Sequence, residues 1–154
     1  MKKMLWFVII AILGLTACGD NQTQFEEDLD KIDEYINTNN LSDVIQHPSG
    51  IFYQITQQGN GSGNFPRFNS NVVVRYKGYL LDGTVFDQTE GSSTANFNLA
   101  GTVQGFQIGV TLLEKGGKGT FIIPSQLGYG FRGSPPAIPA NSVLVFEIEL
   151  VDFI

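Results

Sequence analysis

The sequence predicts an α+β fold: an antiparallel β-sheet wrapped around one short helix, preceded by a short N-terminal amphipathic helix. Three observations carry this. Val72, Val74 and Tyr76 alternate with Arg75 and Lys77, and Leu144, Phe146, Ile148 and Leu150 alternate with Glu147 and Glu149, the period of two that sends successive side chains to opposite sheet faces. Asp82-Gly83 separates two extended runs and predicts a tight type I′ hairpin, whose positive φ angles suit these residues. Apolar residues recur at helical spacing around residues 25–36 and again around 103–113.

The chain opens with Lys2, Lys3 and an apolar run from Met4 to Leu13, followed by Leu15-Thr16-Ala17-Cys18. That run is shorter than the roughly 20 residues a membrane-spanning helix needs, which gives a signal peptide over residues 1–17. Leu-Thr-Ala-Cys resembles the bacterial lipobox, in which the cysteine thiol takes a diacylglyceryl group and becomes the new N-terminus. The resemblance implies a lipid-anchored protein of the cell envelope, on the outer membrane or periplasmic face. Cys18 is the only cysteine, so no internal disulfide can form; an unpaired thiol or an uncleaved signal anchor is the alternative.

Residues 18–49 read as an acidic tether and helix, with eight of the 15 acidic residues between 20 and 43 and one base, Lys31. Phe25, Leu29, Ile32 and Ile36 share one helical face, and Thr23 with Glu26 fits a capping box at its start. Three uses of the stripe stay open: docking on its own domain, self-association, or contact with another protein. Residues 50–154 then supply material for one domain with one core. A strand is predicted over 51–56. The glycine-rich stretch 59–64 lacks the lysine and following helix of a phosphate loop and is a connection. After the hairpin come a short strand over 97–99, a helix bearing Val103, Phe106, Val110 and Leu113, a strand ended by Pro124, a long irregular loop, and a last strand over 142–152.

Charge and composition narrow the function. The formal net charge is −6, and removal of Lys2 and Lys3 with the leader leaves seven bases against 15 acids, or −8. Such a surface disfavours nucleic acid and anionic lipid as partners. The single histidine, His47, lies in a linker before Pro48, so Ser-His-Asp catalysis and multi-histidine metal sites have no base or ligand set; no metal and no cofactor are expected.

Residues 72–87 carry V-x-V-x-Y-x-G-x-L-x-D-G-x-x-F-D in every fixed position. Together with Phe97-x-Leu99, Val103-x-Gly105-Phe106, Leu127-Gly128-Tyr129-Gly130 and the run from Ile138 to Leu150, this resembles the FKBP-type peptidyl-prolyl isomerases over about residues 50–154. The resemblance implies an FKBP-like sheet and a proline pocket walled by Tyr76, Phe86, Asp87, Val103, Phe106, Tyr129, Ile138 and Phe146. Within it, Phe106 would form the floor, the Val103 backbone N–H and the Tyr129 phenol would hold substrate carbonyls, and Tyr76, Phe86 and Phe146 would present ring edges. Asp87 would orient Tyr76 or polarise the rim. Each aromatic also has a plain reading as core, Asp87 as a strand-end residue and Tyr129 as a loop residue.

Two departures from the family are visible. The floor position, often Trp, is Phe106, and Ala95 stands where some members carry an aromatic, so one wall is expected to be open and the apolar area offered to macrolide inhibitors and bulky substrates is reduced. The loop 131–137 overhangs the site in this reading and helps choose substrates, or serves only as a connection. The implied function is a peptidyl-prolyl cis-trans isomerase (rotamase) that assists folding of exported proline-containing proteins, with a proline-binding chaperone or assembly factor as the alternative. A structural lipoprotein without a pocket would need Tyr76, Phe106 and Phe146 to fill the cavity themselves.

Overall fold

The structure, a computed structural model, describes residues 20–154, so the leader and Cys18 lie outside the described residues. Helix α1 (Asp20–Thr38) is followed by strands β1 (Ile45–Gln46), β2 (Phe52–Gln57), β3 (Asn71–Leu80), β4 (Val85–Gln88) and β5 (Ala95–Asn98), helix α2 (Gln104–Thr111), and strands β6 (Lys118–Ile123) and β7 (Leu144–Phe153). The strands form one antiparallel sheet in the order β1-β2-β6-β7-β3-β4, with β5 also on β3. The α+β class is thus the observed one.

Alternation dictates how the sheet is used. Val74, Leu144, Phe146, Ile148 and Leu150 turn to the face covered by α2, where they are buried with Val72, Phe106, Val110 and Phe121. Helix α2 lies close against β6 because two glycines one turn apart face it. A Cβ on Gly105 would fall 2.2 Å from Ile123 Cγ2, and one on Gly109 would fall 2.8 Å from the Phe121 ring. Larger residues there would lift α2 off the sheet and move Phe106 with it.

On the opposite face, β7 presents Val145 before Glu147 and Glu149. The apolar portion is where α1 docks: Ile32 is fully buried among Phe52, Ile122, Val143 and Val145, with Leu29 and Ile36 alongside. Of the three uses open for the stripe, docking on its own domain is the one observed. Burying Ile32 contributes about 1.5–3 kcal/mol, more than helix propensity alone supplies, so α1 belongs to the folded body. A polar clamp adds to it. The Asp28 carboxylate, fully buried, accepts the Ser125 backbone N–H at 2.8 Å and the Gln24 Nε2–H at 3.0 Å, with Lys31 Nζ at 3.7 Å.

Several local expectations change. Thr23 lies inside α1, since the helix already includes Asp20, so Thr23 and Glu26 do not form a starting capping box. The β3–β4 turn is not type I′. Only Gly83 has positive φ (86°), and its N–H donates to the Leu80 carbonyl while Leu80 N–H donates to Thr84, a three-residue loop whose last member is left-handed. Strand β1, two exposed residues paired with β2, was not foreseen.

Candidate functional site

The strands place the expected aromatic residues around one end of α2. Tyr76 faces inward from β3, two residues before Gly78, which is flanked by Asp87 on β4 and Phe146 on β7. Pairing steps from Gly78–Asp87 to Tyr79–Val85, so Phe86 is the extra residue of a β-bulge. That bulge lays the Phe86 ring over Gly78, the one residue type that leaves room: an added Cβ would meet Phe86 at 2.6 Å and Phe146 at 2.8 Å. Between β4 and β5, Thr89 alone closes the ladder, donating its N–H to the Tyr76 carbonyl at 2.9 Å and accepting the Tyr76 N–H on Oγ1 at 3.1 Å.

From α2, Phe106 rises among the other rings. Its centroid lies 5.2 Å from Phe146, 5.9 Å from Phe97 and 6.2 Å from Tyr76, each pair edge to face, and Phe86 meets Phe146 at 5.5 Å in the same manner. Edge-to-face packing holds each ring by its neighbours and leaves a cavity between them instead of filling it. The cavity has a volume of about 360 Å³ and is lined by Tyr76, Phe86, Asp87, Phe97, Gly101, Thr102, Val103, Phe106, Tyr129 and Phe146. It is small among ligand sites, which run from about 300 to 1,000 Å³.

Seven of the eight wall residues expected from the sequence therefore meet in one cavity. Ile138 does not join them. It is buried in the same core cluster as Phe106 and Phe146, and its backbone is bridged to Ser134 through reciprocal hydrogen bonds, without lining the cavity itself. Phe97 is the wall residue that sequence reading passed over, although alternation along β5 puts it on the inner face. Ala95, expected to open a wall, packs on the core beside Val74 and lines no part of the cavity.

Polar side chains in the lining are few: Tyr76, Asp87, Thr102 and Tyr129. Tyr76 Oη donates to Asp87 Oδ2 at 2.5 Å. Burial, this hydrogen bond and the nearby negative charge raise the Tyr76 phenol well above its ordinary range, so it remains a neutral donor at physiological pH. Tyr129 is 40% exposed at the start of a 3-10 turn, and among the described residues nothing accepts its phenol hydrogen. Val103 is the extended residue before α2, and its N–H has no acceptor among the described residues. An apolar floor with two free donors at the mouth suits an apolar ring flanked by carbonyl oxygens. A concavity of similar size on the outer face, about 350 Å³, is bordered by Arg75, Lys118 and Glu149, whose charges already pair with one another.

Comparison with known proteins gives a consistent picture. The family model for FKBP-type peptidyl-prolyl cis-trans isomerases matches residues 63–151. Among curated proteins, the FKBP-type peptidyl-prolyl cis-trans isomerase FkpA of Escherichia coli (strain K12) is 42% identical over 106 residues, 68% of this chain and 38% of that protein. The FKBP-type 22 kDa isomerase of the same organism is 38% identical over 107 residues, 69% of this chain and 51% of that one. The chain thus matches only about two fifths to one half of the length of these relatives. Among solved structures, Escherichia coli FkpA superposes with a TM-score of 0.72 at 34% identity, covering 86% of this chain and 63% of that one. A peptidyl-prolyl isomerase from Pseudomonas syringae gives 0.73 at 28% identity, covering 87% and 96%.

Proposed function

We propose that this chain, which belongs to the FKBP-type peptidyl-prolyl cis-trans isomerase family, accelerates rotation about X-Pro bonds of polypeptides in the ring-lined cavity. The barrier to that rotation is about 18–20 kcal/mol because the twisted imide loses its resonance, and no covalent step is needed to lower it. Water hydrogen-bonds the planar, more dipolar amide best. An apolar cavity that removes this water therefore favours the twisted form, each tenfold of rate requiring about 1.4 kcal/mol of selective stabilisation.

In this reading Phe106 supports the prolyl ring from below, and Phe97 and Phe146 close the sides. The Val103 N–H and the Tyr129 phenol donate to the carbonyls on either side of the imide and hold the chain while one carbonyl swings past the edges of Tyr76, Phe86 and Phe146. Asp87 keeps the Tyr76 ring turned by accepting its hydroxyl. The observation that carries the reading is the cavity itself: five rings packed edge to face around an open apolar space, bordered by Val103 and Tyr129 with donors that have no acceptor among the described residues.

The experiment is protease-coupled isomerisation of X-Phe-Pro and X-Leu-Pro peptides. Catalysed rates are expected, and removal of the phenol hydroxyl in Tyr129→Phe should lower kcat/KM by about 5- to 30-fold, the value of one hydrogen bond to a developing twisted amide. Because Tyr129 is 40% exposed and its hydroxyl has no hydrogen-bond partner among the described residues, the melting temperature should not move. A folded chain that binds proline peptides at the uncatalysed rate would instead establish the chaperone or assembly-factor alternative.

We further propose that Cys18 carries a lipid anchor in the cell envelope, on the support of Leu15-Thr16-Ala17-Cys18 after a short apolar run. Among the described residues no helix is long and apolar enough to cross a membrane. Cys18→Ser should abolish acyl labelling and release the chain from membranes; retention of the unlabelled chain would point to an uncleaved signal helix.

A further inference from the structure

Tyr129 borders two cavities. Besides the ring-lined pocket it faces a second, of about 740 Å³, bounded by Gln24 of α1, by Phe131 and Arg132 in the loop after Tyr129, and by Asn141. This space is about twice the size of the first, about 360 Å³, and Tyr129 is the residue that lines both. Its lining is of a different kind. Gln24 and Asn141 bring carboxamides, each able to donate and to accept, which is what an extended peptide backbone requires. Gln24 Nε2 is already committed to Asp28, so its Oε1 remains to accept. Phe131 is 75% exposed, an aromatic ring with no cover of its own.

Charge gives the second argument. Among the described residues Arg132 is the only charged side chain bordering this cavity, in a chain whose net charge is −6. Its guanidinium lies 5.3 Å from the Phe131 ring centroid, and among the described residues no carboxylate pairs with it. The α1 wall is also fixed in place, because buried Asp28 accepts the backbone N–H of Ser125 at 2.8 Å at the base of the loop that carries Tyr129.

We infer that this second cavity extends the substrate groove: it takes the segment flanking the proline of an extended polypeptide and favours an acidic and an apolar side chain there. The inference rests on the isomerase reading of the first pocket and deepens it, since the substrate becomes a length of unfolded chain instead of an isolated X-Pro unit. A chain seated in the first pocket would pass Tyr129, which borders both spaces, whereas a second copy of the protein would bring its own acidic α1 against the acidic α1 already at the rim.

The test uses the intact chain and two substrates with one Phe-Pro bond: a tetrapeptide, and a peptide of about twelve residues, ~40 Å when extended, with Glu within a few residues of the proline. The double variant Phe131→Ala, Arg132→Gln should keep tetrapeptide kcat/KM within about twofold and lose ~5- to 10-fold on the long peptide. Exchanging the Glu for Lys should slow the parent about threefold and leave Arg132→Gln indifferent. Equal losses on both substrates, no loss on either, or no Glu–Lys difference in the parent would overturn the groove while leaving the pocket reading intact. Absence of catalysis by the parent on both peptides would overturn both readings together. Both side chains are exposed, and circular dichroism of the variants should match the parent.

Discussion

Gly78→Ala is expected to lower kcat/KM on X-Phe-Pro peptides by at least ~10-fold, and toward ~100-fold if the rings move by an ångström, in a chain that still folds. The reason is steric and local. An alanine Cβ at this position would stand 2.6 and 2.7 Å from two atoms of the Phe86 ring and 2.8 Å from the Phe146 ring. Gly78 cannot retreat, because its strand is hydrogen-bonded on both sides, to Asp87 on β4 and to Phe146 on β7. The rings must therefore give way, and both line the cavity. Overpacking of this kind costs about 1–3 kcal/mol in stability, a lowered but measurable unfolding midpoint in urea. Gly83→Ala serves as the comparison. It strains a positive φ of 86° but meets nothing within 4 Å, so about 1 kcal/mol of stability should be lost with no change in turnover. If the two variants lose activity equally, the cavity does not depend on how Phe86 and Phe146 seat over Gly78.

The same glycine marks the limit of what the sequence reveals. Alternation in β3 and the Asp-Gly turn were enough to bring an aromatic and a carboxylate, Phe86 and Asp87, beside Tyr76, while Phe146 was joined to them by the resemblance to the family. Within β4 that rule fails by one residue. The bulge at Phe86 is set by two rings competing for the space above Gly78, a tertiary contact with no local signature. Ile138 lies in a loop, where no periodicity tells a wall residue from a core residue, and its burial beside Phe106 and Phe146 in one cluster was not readable from its neighbours. Phe97, by contrast, was legible and missed, since β5 alternates as plainly as β3.

Docking of α1 was also partly written in the chain. Outward positions change from apolar Val143, just before β7, and Val145 within it to acidic Glu147 and Glu149, and an apolar stripe on an outer sheet face requires a cover. The helical stripe of Leu29, Ile32 and Ile36 supplies it. What could not be read was Asp28: an acid on a predicted solvated helix is the last residue to expect fully buried, and only the loop brought beneath α1 by β6 supplies the backbone N–H that satisfies it.

Phe146 separates the two physical sources of catalysis that the proposed mechanism assigns to the pocket, dryness and ring edges. The ring is 5% exposed and packs against Phe106 at 5.2 Å, Phe86 at 5.5 Å and Tyr76 at 6.4 Å. Phe146→Ala removes the contact that organises all three and should cost about 3–5 kcal/mol, read as a shift in the urea midpoint, with kcat/KM down by ~30-fold or more as water enters where the imide must twist. Phe146→Leu leaves the wall dry and nearly full, costing about 1–2 kcal/mol, but deletes one electropositive ring edge. In the proposed mechanism two other edges, Tyr76 and Phe86, would still face the carbonyl, whereas nothing would compensate for water let into the cavity. The leucine variant should accordingly keep kcat/KM within about threefold of the parent, each tenfold being about 1.4 kcal/mol. Leucine as damaging to turnover as alanine would reverse the order: the ring edge, and not the dryness of the cavity, would then be what favours the twisted imide.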